Sequence, residues 1–260
     1  MQHGDFTQLA KEYIHRPGYS QDLLKMIGRA VGMDRRDFYV ADVGAGTGKL
    51  TQELSDLGLS GCAVEPNDAM RQEGLNAPAS QAHVPQTSRF IWSEGTAEHT
   101  GLPSHSFDWV LMGSSFHWAN TEEALTEFHR ILKPGGYFTA IWNPREIEGH
   151  DLFERIEKVI YDALPNMKRV SSGSKKHVGD IEGKLLSTPY FGNIVFAEAP
   201  HSIVMSKERY LGIWRSVNDI RVQAGEELFQ RILQTIADIL APFDEITVYY
   251  RSRAWTVQAL

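Results

Sequence analysis

The chain has 260 residues, 42% hydrophobic and 23% charged, enough to bury one large α/β core. A formal net charge of −7 sets the overall field against a phosphate backbone, so nucleic acid is not an expected partner; the single cysteine, Cys62, excludes a disulfide framework or a thiolate metal cluster, and no metal is expected. The first residues lack the apolar run of a signal peptide and no stretch reaches the roughly 18 apolar residues of a membrane span, so the expectation is a cytoplasmic globular protein without a membrane partner.

Gly, Pro and apolar runs divide the first 143 residues into alternating strands and helices. Residues 38–43 form an apolar run ending in Asp42-Val43-Gly44, and 50–57 are helical in pattern, closed by Gly58 and Gly61. Residues 62–64 read as a buried strand ending at Glu65-Pro66, 68–75 as a helix, and 76–88 as a polar loop. Strands follow over 89–92 and 107–112. Asn120 can then cap a helix with Glu123 as reciprocal partner, and Ala124, Leu125, Phe128, Ile131 and Leu132 form its apolar face. Lys133-Pro134-Gly135-Gly136 stops that helix, and 137–142 is a fifth strand. This alternation predicts a parallel sheet covered on both faces. Beyond Asn143-Pro144 the regularity breaks: helices over 152–164, 206–215 and 226–240, strands over 193–204 and 246–257, and a polar loop over 168–177 carrying Lys168, Arg169, Lys175 and Lys176. One sheet domain over 1–260 with inserted cap helices fits this pattern better than two domains.

Asp42-Val43-Gly44-Ala45-Gly46-Thr47-Gly48-Lys49 lies between a strand and a helix, where glycines let the backbone approach a ligand and the helix start offers free N–H groups. A phosphate loop of the form GxxxxGK[ST] fails twice, since Val43 holds the first Gly position and Leu50 follows the lysine. A dinucleotide GxGxxG is weakened by Lys49 at its third glycine. What remains, acidic–apolar–G-x-G-x-G, resembles the first motif of class I S-adenosylmethionine-dependent methyltransferases. Glu65, 21 positions beyond Gly44, stands where a carboxylate accepts ribose hydroxyls. Glu94-Gly95-Thr96-Ala97-Glu98 with Leu102-Pro103 is similar to the family's adenine-pocket loop, and Leu132-Lys133-Pro134-Gly135-Gly136 to its post-helix turn. Ser115-Phe116-His117-Trp118, with Tyr13 and Arg16-Pro17-Gly18-Tyr19, resembles a small-molecule branch that includes trans-aconitate methyltransferase-like proteins.

The resemblance implies a doubly wound Rossmann-like sheet, mostly parallel with an antiparallel C-terminal strand. Its core would occupy about 36–143, 190–204 and 244–260, with an N-terminal lid about 1–20 and cap insertions about 144–189 and 205–243. It implies S-adenosylmethionine as cofactor and methyl transfer to a small-molecule acceptor at O, N or a carboxylate. Gly44, Ala45, Gly46 and Gly48 would pass under the methionine part, Glu65 with Pro66 would hold the ribose, and Thr96 and Ala97 would border the adenine. Asp42 would orient the turn or meet the ammonium group, Ser114 would complete the set, and Tyr13 and Arg16 would reach the cofactor carboxylate from the lid or simply pack. His117 is the candidate general base, with a wall or structural role as its alternative; Trp118, Trp142, Asn143 and Trp214 are candidate acceptor-site walls, with core packing as theirs. The basic loop at 168–176 would attract an anionic acceptor or be merely solvated. Two other readings stand beside this one: a nicotinamide-dependent oxidoreductase, and a non-catalytic protein that keeps the cofactor fold. Asn143-Pro144-Arg145-Glu146 follows the fifth strand and lacks the second proline and aromatic of amino-methylating DNA enzymes.

Overall fold

The computed structural model describes residues 7–76, 89–168 and 179–260. Seven strands form one sheet in the order β3-β2-β1-β4-β5-β7-β6. They are β1 (Tyr39–Val43), β2 (Ser60–Val64), β3 (Phe90–Ser93), β4 (Phe107–Gly113), β5 (Leu132–Trp142), β6 (Phe191–Ser206) and β7 (Glu245–Ala259). Strands β1 to β5 pair in parallel, and β7 runs antiparallel to both of its neighbours. The sheet is the Rossmann-like α/β sheet expected. Its order reverses between β1 and β4, so the carboxyl ends of these strands open a crevice at that switch point.

Successive side chains on a strand face opposite sides, and both sides here are covered. Val40, Trp109, Leu111 and Ile141 meet Leu23, Leu24 and Ile27 of α2 (Gln21–Ala30) and Leu50 and Leu54 of α3 (Lys49–Asp56). Their neighbours Ala41, Val110, Met112 and Ala140 pack with Leu125, Phe128 and Ile131 of α5 (Thr121–Ile131) on the other side. The short α1 (Ala10–Tyr13) precedes α2, and α4 (Asp68–Asn76) follows β2. A third cluster joins α6 (Asp151–Ala163), α8 (Lys207–Arg215) and α9 (Asn218–Leu240) to Ile246, Val248 and Tyr250 of β7. The small α7 (Ile181–Leu185) packs on the same face as α5. Among the described residues no helix is long and apolar enough to cross a membrane.

Several sequence expectations change in detail. Helix α2 was not foreseen, although Ser20 caps it by accepting from Leu23 N at 3.3 Å. Asn120 does cap α5, but Glu123 takes a hydrogen from the Asn120 amide at 2.8 Å, while the Asn120 backbone N–H goes to Glu98 Oε1 at 2.8 Å. The chain turns extended at Leu132, so β5 begins there and runs through the Lys133–Gly136 stretch expected to be a turn. Helix α9 starts at Asn218 rather than 226, broken at Gly225, whose φ of 71° suits a residue without Cβ. Residues 77–88 of the expected polar loop and Arg169, Lys175 and Lys176 of the expected basic loop lie outside the described residues.

Candidate active site

The crevice at the switch point deepens into a cavity of about 650 Å³. Its floor is the turn after β1. Gly44 N and Ala45 N both donate to Val64 O, at 2.8 and 3.0 Å, which ties the turn to the end of β2. Gly44 and Gly46 hold φ of 69° and 59°, a region costly for residues with a Cβ. A Cβ on Gly44 would meet Ser115 Oγ at 2.8 Å, whereas one on Gly46 would touch only Met70 Cε at 3.4 Å and project into the cavity. Gly48 does not line the cavity; it leads into α3, its N–H bound to Ala45 O at 2.9 Å.

Two carboxylates flank the turn. Glu65 is 7% exposed, and its oxygens accept from Gly46 N at 2.8 Å and Asn67 N at 2.9 Å. Burial raises its pKa, and those two N–H groups oppose the rise. Each oxygen keeps a further lone pair, so the residue both braces the turn and can receive hydroxyls. Asp42 is fully buried; Oδ2 accepts from Thr51 Oγ1 at 2.5 Å, while Oδ1 has no partner among the described residues. Burial pushes its pKa up to about 7, the Thr51 hydrogen bond opposing and Glu65 adding to the rise. Thr47 Oγ1 is likewise buried without a partner among the described residues. Orphaned polar atoms beside an open glycine turn are what a polar, partly cationic ligand would satisfy.

Pro66, Thr96, Ala97 and Glu98 form one flank of the cavity, with Thr96 held in a tight loop by its backbone bond to His99 O at 3.0 Å. Ser114 lines it too, at a positive φ of 54°, its hydroxyl accepting from Tyr19 Oη at 3.0 Å. Tyr13 and Arg16 line the opposite side, and the Arg16 guanidinium sits 4.0 Å over the Tyr13 ring. Arg16 also donates to the Ser216 hydroxyl at 2.8 Å and carbonyl at 3.0 Å, joining the N-terminal segment to the cap. Lys49 was read only as an obstacle to dinucleotide binding, yet its Nζ donates to Ile14 O at 2.6 Å and holds this segment to the start of α3. Arg209 does the same from the cap, donating to His15 O at 3.2 Å.

The expected acceptor residues are divided. Trp118 and Trp142 line the cavity. Asn143 lines it as well, but its amide donates to Gly18 O at 2.7 Å and accepts from Ser252 Oγ at 2.9 Å, so it positions the chain before α2. Trp214 is 1% exposed and stands behind the wall, under the Arg145 guanidinium. His117 is not on the cavity surface either; its ring centre lies 4.7 Å from that of Trp118 and 6.5 Å from that of Trp142. Arg145, Glu157, Tyr161 and Tyr250 also line the cavity and were not foreseen, because they come from segments without a readable motif.

This sheet, with a glycine turn between two carboxylates at its switch point, has the Rossmann-like fold shared with methyltransferases of known structure. Residues 41–140 match the family described as "Methyltransferase domain". An uncharacterized methyltransferase of Mycobacterium tuberculosis is 37% identical over 131 residues, 50% of this chain and 48% of that one. The chain thus spans about half the length of such curated relatives. Among solved structures, one from Anaeromyxobacter dehalogenans given as a type II methyltransferase superposes with a TM-score of 0.65 at 20% identity, covering 93% of this chain and 97% of that one. Phosphoethanolamine N-methyltransferase 2 of Haemonchus contortus, in complex with S-adenosyl-L-methionine, gives 0.52 at 17% identity, covering 98% and 57%. At these identities the two structures speak for the fold.

Proposed function

We propose that this chain, acting as one domain, transfers a methyl group from S-adenosylmethionine to a small-molecule acceptor. The observation that carries the reading is the unpartnered Asp42 Oδ1 beside the Gly44–Gly46 turn, with Glu65 across it. When bound, the cofactor supplies a methyl group already activated on a sulfonium. Asp42 Oδ1 would face its positive charge, and Glu65 would take ribose hydroxyls on its free lone pairs. Thr96 and Ala97 would border the adenine, and Arg16 with Tyr13 would take the carboxylate through the guanidinium hydrogens that Ser216 leaves free.

The residues then do two things: they fix the acceptor in line and they exclude water. Trp118 and Trp142 supply the apolar wall for this. A base is needed only where the acceptor must lose a proton. Proton removal by His117 requires its ring to reach the acceptor past Trp118, and its variants decide that role. Ser115 and Trp118 on the cavity wall support the small-molecule branch, because a cavity walled by Trp118 and Trp142 suits a small acceptor. Calorimetry tests the reading directly: S-adenosylhomocysteine should bind and NAD should not. Preference for NAD would transfer the site to hydride chemistry, and binding without turnover on a broad acceptor panel would leave a non-catalytic protein.

A further inference from the structure

The end of the cavity away from the glycine turn has its own unsatisfied chemistry. Arg145, just past β5, keeps its side chain only 15% exposed. Its guanidinium lies 4.0 Å over the Trp214 ring, and Nη1 donates to Tyr210 Oη at 3.2 Å. Its nearest carboxylate is Glu157, at a loose 3.8 Å. A backbone bridge sets Arg145 against Tyr250 of β7. Tyr250 is 2% exposed, and its hydroxyl is buried with no hydrogen-bond partner among the described residues, although both residues line the cavity.

A buried hydroxyl without an acceptor carries a desolvation cost that a ligand oxygen would relieve. Burial pushes the Tyr250 phenol up to about 12, with Arg145, Arg209 and Arg16 pulling the other way. The phenol therefore keeps its hydrogen to donate, and with Arg16 engaged by the cofactor carboxylate, Arg145 and Arg209 keep its surroundings positive. Glu157 offsets one of those charges. Ile147, Tyr161, Ile213 and Val217 give this end an otherwise largely apolar surface. Such a surface suits a ligand with one charged end and an apolar body.

We propose that this end of the cavity holds an anionic oxygen group of the acceptor, a carboxylate or a phosphate on an apolar body, with Tyr250 donating its hydroxyl hydrogen and Arg145 supplying the cation. The assignment rests on the methyltransferase reading, which gives this end to the acceptor. It makes Arg145 and Tyr250 the residues that select the substrate class.

The test titrates 3-phenylpropanoate, phenyl phosphate and the neutral 3-phenylpropanamide into the full chain saturated with S-adenosylhomocysteine. At least one anion should bind roughly tenfold or more tightly than the amide, and which anion is preferred separates carboxylate from phosphate. Tyr250→Phe should weaken that anion by roughly tenfold to a hundredfold, weaken the amide less, and leave S-adenosylhomocysteine unchanged. Arg145→Lys keeps the charge without the planar fork and should also weaken the anion, which supplies a second variant if the first folds poorly. The proposal is overturned if the amide binds as well as both anions, if neither anion binds at millimolar concentration, or if both variants bind the anion as the parent does. Failure of the parent to bind S-adenosylhomocysteine at all would strike the methyltransferase reading instead.

Discussion

Asp42→Asn removes the more deeply buried of the two carboxyl groups at the glycine turn while keeping its shape. In the folded chain the Asp42 pKa rises from 3.8 to about 7, roughly three units, or about 4 kcal/mol at 1.36 kcal/mol per unit. The sign follows from which state binds the proton more tightly. Below about pH 4 both folded and unfolded chains hold it, and there is no penalty. Between that value and about 7 the unfolded chain ionises first, so this group's contribution to stability falls as pH rises, and above 7 the whole penalty is present. The asparagine variant should therefore melt higher than the parent at pH 8 and gain little at pH 4. A cationic cofactor beside Oδ1 reverses the preference and draws the proton off. At pH 6 roughly nine in ten parent molecules carry that proton, so binding should release close to one proton and tighten up to tenfold per pH unit until about pH 7. Calorimetry of S-adenosylmethionine binding at pH 6 in two buffers of different ionisation enthalpy counts the protons. The variant should release fewer and bind more weakly at pH 8. Equal proton release by parent and variant, or none by the parent, would refute the placement of the positive charge at Asp42.

Glu65→Ala should weaken cofactor binding roughly tenfold to a hundredfold and also lower the melting temperature, since Gly46 N and Asn67 N lose their acceptor; unchanged affinity in calorimetry would remove the ribose role. Gly46→Val should abolish binding, because its Cβ projects into the cavity, and should also lower the melting temperature, because a β-branched residue is strained at φ 59°; normal binding would show that the turn is not the cradle. Lys49→Met frees the segment held through Ile14 O, so residues 13–19 should exchange amide hydrogens faster in the variant, and the cofactor should slow exchange in the parent; identical exchange in all states would make the segment ordinary core. For an acceptor that loses a proton, His117→Ala should lower kcat by about 10²–10⁴ with cofactor affinity kept; parent-like turnover would leave positioning alone to carry the reaction.

The half of the site that the sequence revealed is the half built from local chain. The turn after β1 and the carboxylate after β2 are adjacent because parallel strands in register bring their ends together, Val43 opposite Val64. A strand–glycine–helix run and an acid near its expected spacing are therefore enough to find them. Apolar runs located the inner parallel strands for a related reason, since β1 and β4 are covered on both faces and therefore mostly apolar. The acceptor end has no such signature. Arg145 and Tyr250 are 105 positions apart in sequence and meet only across an antiparallel bridge. His117 stands apart from both: its position after β4 pointed to the crevice, while the turn at Phe116–Trp118 presents Trp118 to the cavity wall, and the His117 variants decide its role.

This division also shows how the cap is tied to the cofactor floor. Ser252 of β7 accepts from the Ser20 N–H at 2.8 Å and donates to Asn143 at 2.9 Å, while Asn143 reaches Gly18 at 2.7 Å. Those bonds anchor the chain between the N-terminal segment and α2 to the end of β5 and the middle of β7. From that anchor the segment runs back over the cavity to Arg16 and Ile14, where Ser216 of the cap and Lys49 of α3 hold it. A ligand that shifts Arg16 therefore acts on both the cap and the N-terminal segment, because the same residue stacks on Tyr13 and bonds to Ser216. Replacing Ser216 by alanine removes one of those bonds without touching the glycine turn. If the segment couples the two halves, that change weakens acceptor and cofactor binding together; if it is only a cover, cofactor affinity stays at the parent value.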